Sequence, residues 1–164
     1  MVVRVPGKEA QAMNPAPGFD EHIPHDLVHY VVEAELQLGT GVFGRAASGG
    51  GTFLPAEPAS SPRERARQRR KQARREAQLH RTDILERQQM AASERLAGLC
   101  DLAWRRRHGQ RPDPGRMAAV VTPTREEAEL IERVLVRLDQ LAPIWNALPI
   151  DAEMVFVWPS LEPR

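Results

Sequence analysis

Apolar side chains return every three or four positions between Pro24 and Gly39, placing Leu27, Val28, Val31, Ala34 and Leu38 on one arc of a helix. His25, His29, Glu33 and Gln37 form an adjoining polar stripe, and Glu35 falls on the apolar side. The pattern predicts a helix that opens at Pro24, where a missing N–H costs nothing, and closes at Gly39. A second helical signal starts at Ser61-Pro62-Arg63-Glu64, a capping box with proline at the first helical position. Scarcely a helix breaker follows until Gly109. A straight helix of that length would reach ~70 Å, so part of it should project or bend. Its second half carries a packing stripe of Leu85, Ala92, Leu96, Leu99 and Ala103, whereas its first half offers little but alanine. Thr124-Arg125-Glu126-Glu127 is another capping box, and Ile131, Val134, Leu135, Leu138 and Leu141 then mark an amphipathic helix that Pro143 should end.

The two ends read differently. Val2-Val3-Arg4-Val5, the Pro6-Gly7 turn and Ala10-Gln11-Ala12-Met13 suggest a hairpin, and the C-terminal segment alternates Met154, Phe156 and Trp158 with Val155 and Val157, as a strand does. The expected class is therefore α+β, predominantly helical, with a small antiparallel sheet from an N-terminal hairpin and a C-terminal strand, plus one long basic helix. The 164 residues suit a single domain over 1–164, with a glycine-, serine- and proline-rich loop or linker over 46–61 and an exposed basic helical arm over 62–78.

Composition narrows the chemistry. Cys100 is the only cysteine, which excludes an intrachain disulfide and a multi-thiolate metal site. It sits among Leu96, Leu99 and Ala103, so a buried, inert thiol is expected. No segment has the apolar length of a membrane span or a secretion signal, and the expected location is the cytoplasm. Only Lys8 and Lys71 are lysines among 23 basic residues, a bias that suits a high-GC bacterial genome as readily as selection for arginine chemistry. The net charge of +1 conceals a separation: residues 60–81 hold nine basic groups against Glu64 and Glu76, a net +7, which leaves −6 for the remainder.

His25 and His29 lie one helical turn apart, and Glu33 continues the row, so the three project from one face. Imidazoles at that spacing suit a divalent metal such as zinc, with His22 as a further candidate ligand and Asp26 and Glu35 as polar neighbours. No catalytic residue is assigned. The GTGVFG run at Gly39, Gly41 and Gly44 matches a dinucleotide pattern, but a helix precedes it where that mechanism needs a strand, so helix termination and tight packing explain the glycines better. The "HDLVH" run resembles the HDxxH signature of the coenzyme Q biosynthesis protein family, which implies a zinc site on helices; that family's motif continues with a glutamate where this chain has Gly41. The longer stretch from Asn14 to Gly44, about a fifth of the chain, is similar to a set of small bacterial proteins sharing a PHDLxHxxVExEL core, to which no activity is attached.

A second candidate is electrostatic. Arg63, Arg67, Arg70, Arg74 and Arg81 recur at spacings of four, three, four and seven, which aligns them on one helix face. Like charges one turn apart repel, so such a helix needs phosphates, an acidic protein surface, or acidic groups of its own chain such as Glu126, Glu127, Glu129 and Glu132. The expected partners are accordingly nucleic acid or an acidic protein surface, and no membrane.

Overall fold

The computed structural model describes residues 2–3, 11–12, 20, 22–48, 54–55, 61–63, 66–67, 70, 74, 84–111, 122–149 and 152–164. Its core is built from helices: α1 (His25–Glu35), the short α2 (Val42–Ala47), α3 (Ile84–Arg107) and α4 (Arg125–Asn146). α1 packs on both α3 and α4, and α3 packs on α4, so the three long helices enclose one apolar interior. Val28, Val31 and Val32 of α1 meet Leu96, Leu99, Cys100 and Trp104 of α3 and Ile131, Val134, Leu135 and Leu138 of α4. Burying side chains of this size contributes on the order of 1.5–3 kcal/mol each, the dominant favourable term for a bundle this small.

The class is all-α, which corrects the expected α+β fold. Backbone pairing outside the helices is confined, among the described residues, to two-residue ladders at Val2–Val3, Gln11–Ala12 and Leu54–Pro55, too short to form a layer. The C-terminal segment takes no part in them. Its alternation is real, with Met154 and Phe156 turned toward the core and Val155 and Val157 exposed, but a helical surface receives the inward side chains. Tyr30 of α1 meets Phe43 and Trp158 edge-on and Phe156 at a tilt, and its hydroxyl donates to the Ser160 carbonyl at 2.7 Å. A period of two reports only that one face of an extended segment is covered; whether the cover is a strand or a helix is decided elsewhere in the chain.

Helix boundaries show which local signals prevailed. Pro24 is the N-cap of α1 and stays extended (φ −63°, ψ 136°), its carbonyl accepting from Leu27 and Val28. The helix stops before the expected glycine: Gln37 adopts φ 52°, and the bonds from Gln37 to the Ala34 carbonyl and from Leu38 to the Glu33 carbonyl complete a Schellman cap. α4 opens with the anticipated capping box, Glu127 N–H donating to Thr124 Oγ1 at 3.2 Å and Thr124 N–H to Glu127 Oε2 at 2.8 Å. It does not end at Pro143, which lies inside the helix one turn from its end. There proline forfeits one backbone bond, and the Trp145 indole N–H anchors the last turn to the Asp20 carbonyl at 3.4 Å. α2 extends through Ala47, into the start of the predicted loop over 46–61.

Polar bonds tie the bundle at its other end. Arg105 is buried on α3 between Asp101, 3.0 Å away, and Asp20, 2.6 Å away. Burial pushes the Asp20 carboxyl up, but the amides of His22 and Ile23 and the Arg105 guanidinium outweigh it and hold the group below the usual carboxylate range. Trp104 Nε1 donates to Asp139 at 2.9 Å, joining α3 to α4. No helix among the described residues is long and apolar enough to cross a membrane.

Candidate functional site

The histidine row of α1 lies where the other helices meet it. His29 is 8% exposed and Glu33 is fully buried, because α3 crosses the face that carries them. The Glu33 carboxylate receives three donors: Val42 N–H and Ser93 Oγ–H on Oε1, and Phe43 N–H on Oε2, all at 2.8 Å. Val42 and Phe43 open α2, so two amides without intrahelical partners are satisfied by a side chain from α1. Ser93 has a single proton and gives it to Glu33; its oxygen therefore accepts from His29 Nδ1–H at 3.1 Å. That assignment leaves His29 Nε2 facing Glu94, 3.7 Å away. The His25 ring stands edge-on to His29, with centroids 4.7 Å apart.

Gly41 makes this seat possible. A Cβ there would fall on the Glu33 carboxyl group, 2.5 Å from both oxygens, so any side chain would displace it. Gly44 is closed off in the same way by the backbone of Leu38 and Gly39, whereas Gly39 itself faces open space. The GTGVFG run is thus packing and helix initiation, with Gly41 holding a buried carboxylate of its own chain. Gln89 of α3 secures the same turn by accepting from both the amide and the hydroxyl of Thr40, at 3.1 and 2.6 Å.

The metal set expected from spacing is not assembled. Glu33 spends both oxygens on Val42, Phe43 and Ser93, and among the described residues no group of three or more histidine, cysteine, aspartate or glutamate side chains is placed to hold a metal. His22, three residues before α1, contributes its backbone amide to Asp20, and Asp26 lies half-buried in the first turn. Glu35 pairs with Arg137 at 3.6 Å and Arg133 at 3.9 Å on α4. Arg45 bonds Glu86 at 3.2 Å and the Thr40 carbonyl at 2.8 Å. Sequence reasoning missed Ser93 altogether. Its signal was position: Ser93, Leu96, Cys100 and Trp104 share one face of α3, and a hydroxyl on an apolar face must find a partner.

The arginine stripe is a different environment. Backbone at residues 62, 63, 66, 67, 70 and 74 is helical, and Arg63, Arg67, Arg70 and Arg74 are exposed; Arg81 lies outside the described residues. None of these four arginines makes an ion pair among the described residues. Of the four acidic groups expected to neutralise them, three are engaged on the helical body. Glu127 takes a bidentate bond from Arg95 at 2.8 and 3.0 Å, Glu129 faces Arg125 at 3.6 Å, and Glu132 holds Arg107 at 2.6 Å; Glu126 is exposed. The Arg95 and Thr124 bonds draw the Glu127 carboxyl down to about 2. Comparison with protein-family models, curated proteins and solved structures finds no match to this chain.

Proposed function

We propose that this chain binds nucleic acid through its arginine-rich helix, the helical body serving as the platform from which that helix is presented. One observation carries the reading: four exposed arginines at helical spacing have no ion-pair partner among the described residues, while Glu127, Glu129 and Glu132 are bound to other arginines. Guanidinium groups aligned in this way suit phosphate, which accepts their donors in pairs and releases counterions on binding. The histidine row enters as structure, since donors of the same chain occupy both oxygens of its carboxylate. A cytoplasmic location accords with this reading and with a single buried cysteine whose thiol is pushed up to about 12 by burial and by the neighbouring Asp101 carboxylate.

The test compares wild-type protein with an Arg67→Gln/Arg70→Gln/Arg74→Gln variant by fluorescence anisotropy on labelled nucleic acid. Glutamine retains helix propensity close to that of arginine, so circular dichroism should be unchanged while affinity falls at least tenfold. Absence of wild-type binding near 50 mM salt, where phosphate contacts are strongest, would overturn the proposal and direct attention to an acidic protein surface.

A further inference from the structure

We infer that the nucleic acid held by this stripe is B-form duplex DNA. The inference rests on the nucleic-acid reading above and specifies its substrate. On an α-helix, with its ~1.5 Å rise and 3.6-residue turn, the spacing of Arg63, Arg67, Arg70 and Arg74 sets them within about 60° of one another over about 16 Å of axis. Over the same distance a duplex presents about ten phosphates at ~1.7 Å intervals, and a single strand about half as many. A helix ~10–12 Å across also matches the ~12 Å major groove of B-form DNA, whereas the deep, narrow major groove of duplex RNA does not admit one.

Single-stranded partners are held differently, by bases stacked on aromatic rings along a basic groove. Residues 60–81 contain no phenylalanine, tyrosine or tryptophan. Among the described residues the rings have other tasks: Phe43, Phe156 and Trp158 pack on Tyr30, Trp104 is buried against His108 and bonded to Asp139, and Trp145 is bonded to Asp20. A face of guanidinium groups without rings grips a regular double row of phosphates well and a flexible strand of bases poorly.

Competition between a 30-base-pair DNA duplex, its separated strands and an RNA duplex of the same sequence tests this with the full chain. The DNA duplex should bind at least tenfold tighter than either alternative at ~150 mM salt, with affinity falling by about 0.9 log units per log unit of salt for each phosphate neutralised, against about 0.7 on a single strand. The Arg67→Gln/Arg70→Gln/Arg74→Gln variant should reduce the magnitude of the duplex slope by about 2.7. Single strands or duplex RNA binding as tightly as duplex DNA would overturn this inference and leave the broader reading standing. No binding to any of the three would remove both, and a duplex slope unmoved in the variant would show that the stripe is not the site.

Discussion

Two glutamates two residues apart on α1 have opposite surroundings, and a single substitution at each should show it. Glu33→Gln puts an amide group among three donors, leaving at least one buried N–H or O–H without an acceptor, and should destabilise the protein by about 1–3 kcal/mol. Glu35→Gln removes only long contacts to arginines that are themselves substantially exposed, and should cost under ~1 kcal/mol. Gly41→Ala should cost about 1–3 kcal/mol through collision with the Glu33 carboxyl group, since its backbone at φ −68° suits any residue. Urea denaturation of the three variants gives the order directly; equal losses for Glu33→Gln and Glu35→Gln would show that Glu33 is not held as described. The stripe of His25, His29 and Glu33 was legible from spacing, but the burial of His29 and Glu33 was not. Periodicity predicts one buried arc, whereas residues 27–34 of α1 are buried all round because α3, α4, α2 and the C-terminal segment each cover a side.

At the scale of the element, α4 carries a charge network that acid should dissolve. The Glu127 carboxyl is held at about 2 in the folded chain by Arg95 and the Thr124 amide, below its ordinary value of 4.5. A depressed folded value means that the stabilisation is fully present above pH 4.5 and is lost as pH falls from 4.5 towards 2. Solvent reaches this pair, so the contribution is modest and should shrink further in high salt. Arg95→Gln should therefore lower the urea midpoint at pH 6 and converge on wild type near pH 2; a gap independent of pH would mean that packing of the Arg95 stem, and not its charge, supports α4. The capping box that begins this helix was readable because it is local, four residues satisfying one another's backbone. The early stop of α1 and the passage of Pro143 through α4 were not, since a left-handed glutamine and an indole bonded to Asp20 each depend on where neighbouring elements lie.

Across the whole molecule, burial of two weak acids sets an alkaline limit. Burial pushes the Tyr30 hydroxyl to about 12, and burial with the adjacent Asp101 carboxylate pushes the Cys100 thiol to about 12, against ordinary values of 10.0 and 9.0. The unfolded chain releases these protons first, so stability is fully present below pH 9 and declines as pH rises towards 12. Melting temperature should fall steeply between pH 9 and 11, and the fall should be shallower in Tyr30→Phe; an identical profile in that variant would clear Tyr30 of any part in it. At pH 8 the folded thiol should react with a disulfide reagent far more slowly than the unfolded chain, being both buried and less ionised.

What the amino-acid order determined alone was everything that depends on near neighbours: the helical periods, the α4 cap, the separation of a basic arm from an acidic remainder, and glycines placed for packing. Tertiary structure decided the rest, because its causes are far apart in the chain. Ser93 meets Glu33 across sixty positions, Arg105 meets Asp20 across eighty-five, and Tyr30 donates to Ser160 across a hundred and thirty. A carboxylate, an alternating segment or a histidine row carries the same local pattern whether it faces water or a helix, and the desolvation that distinguishes those fates exists only once the helices have packed.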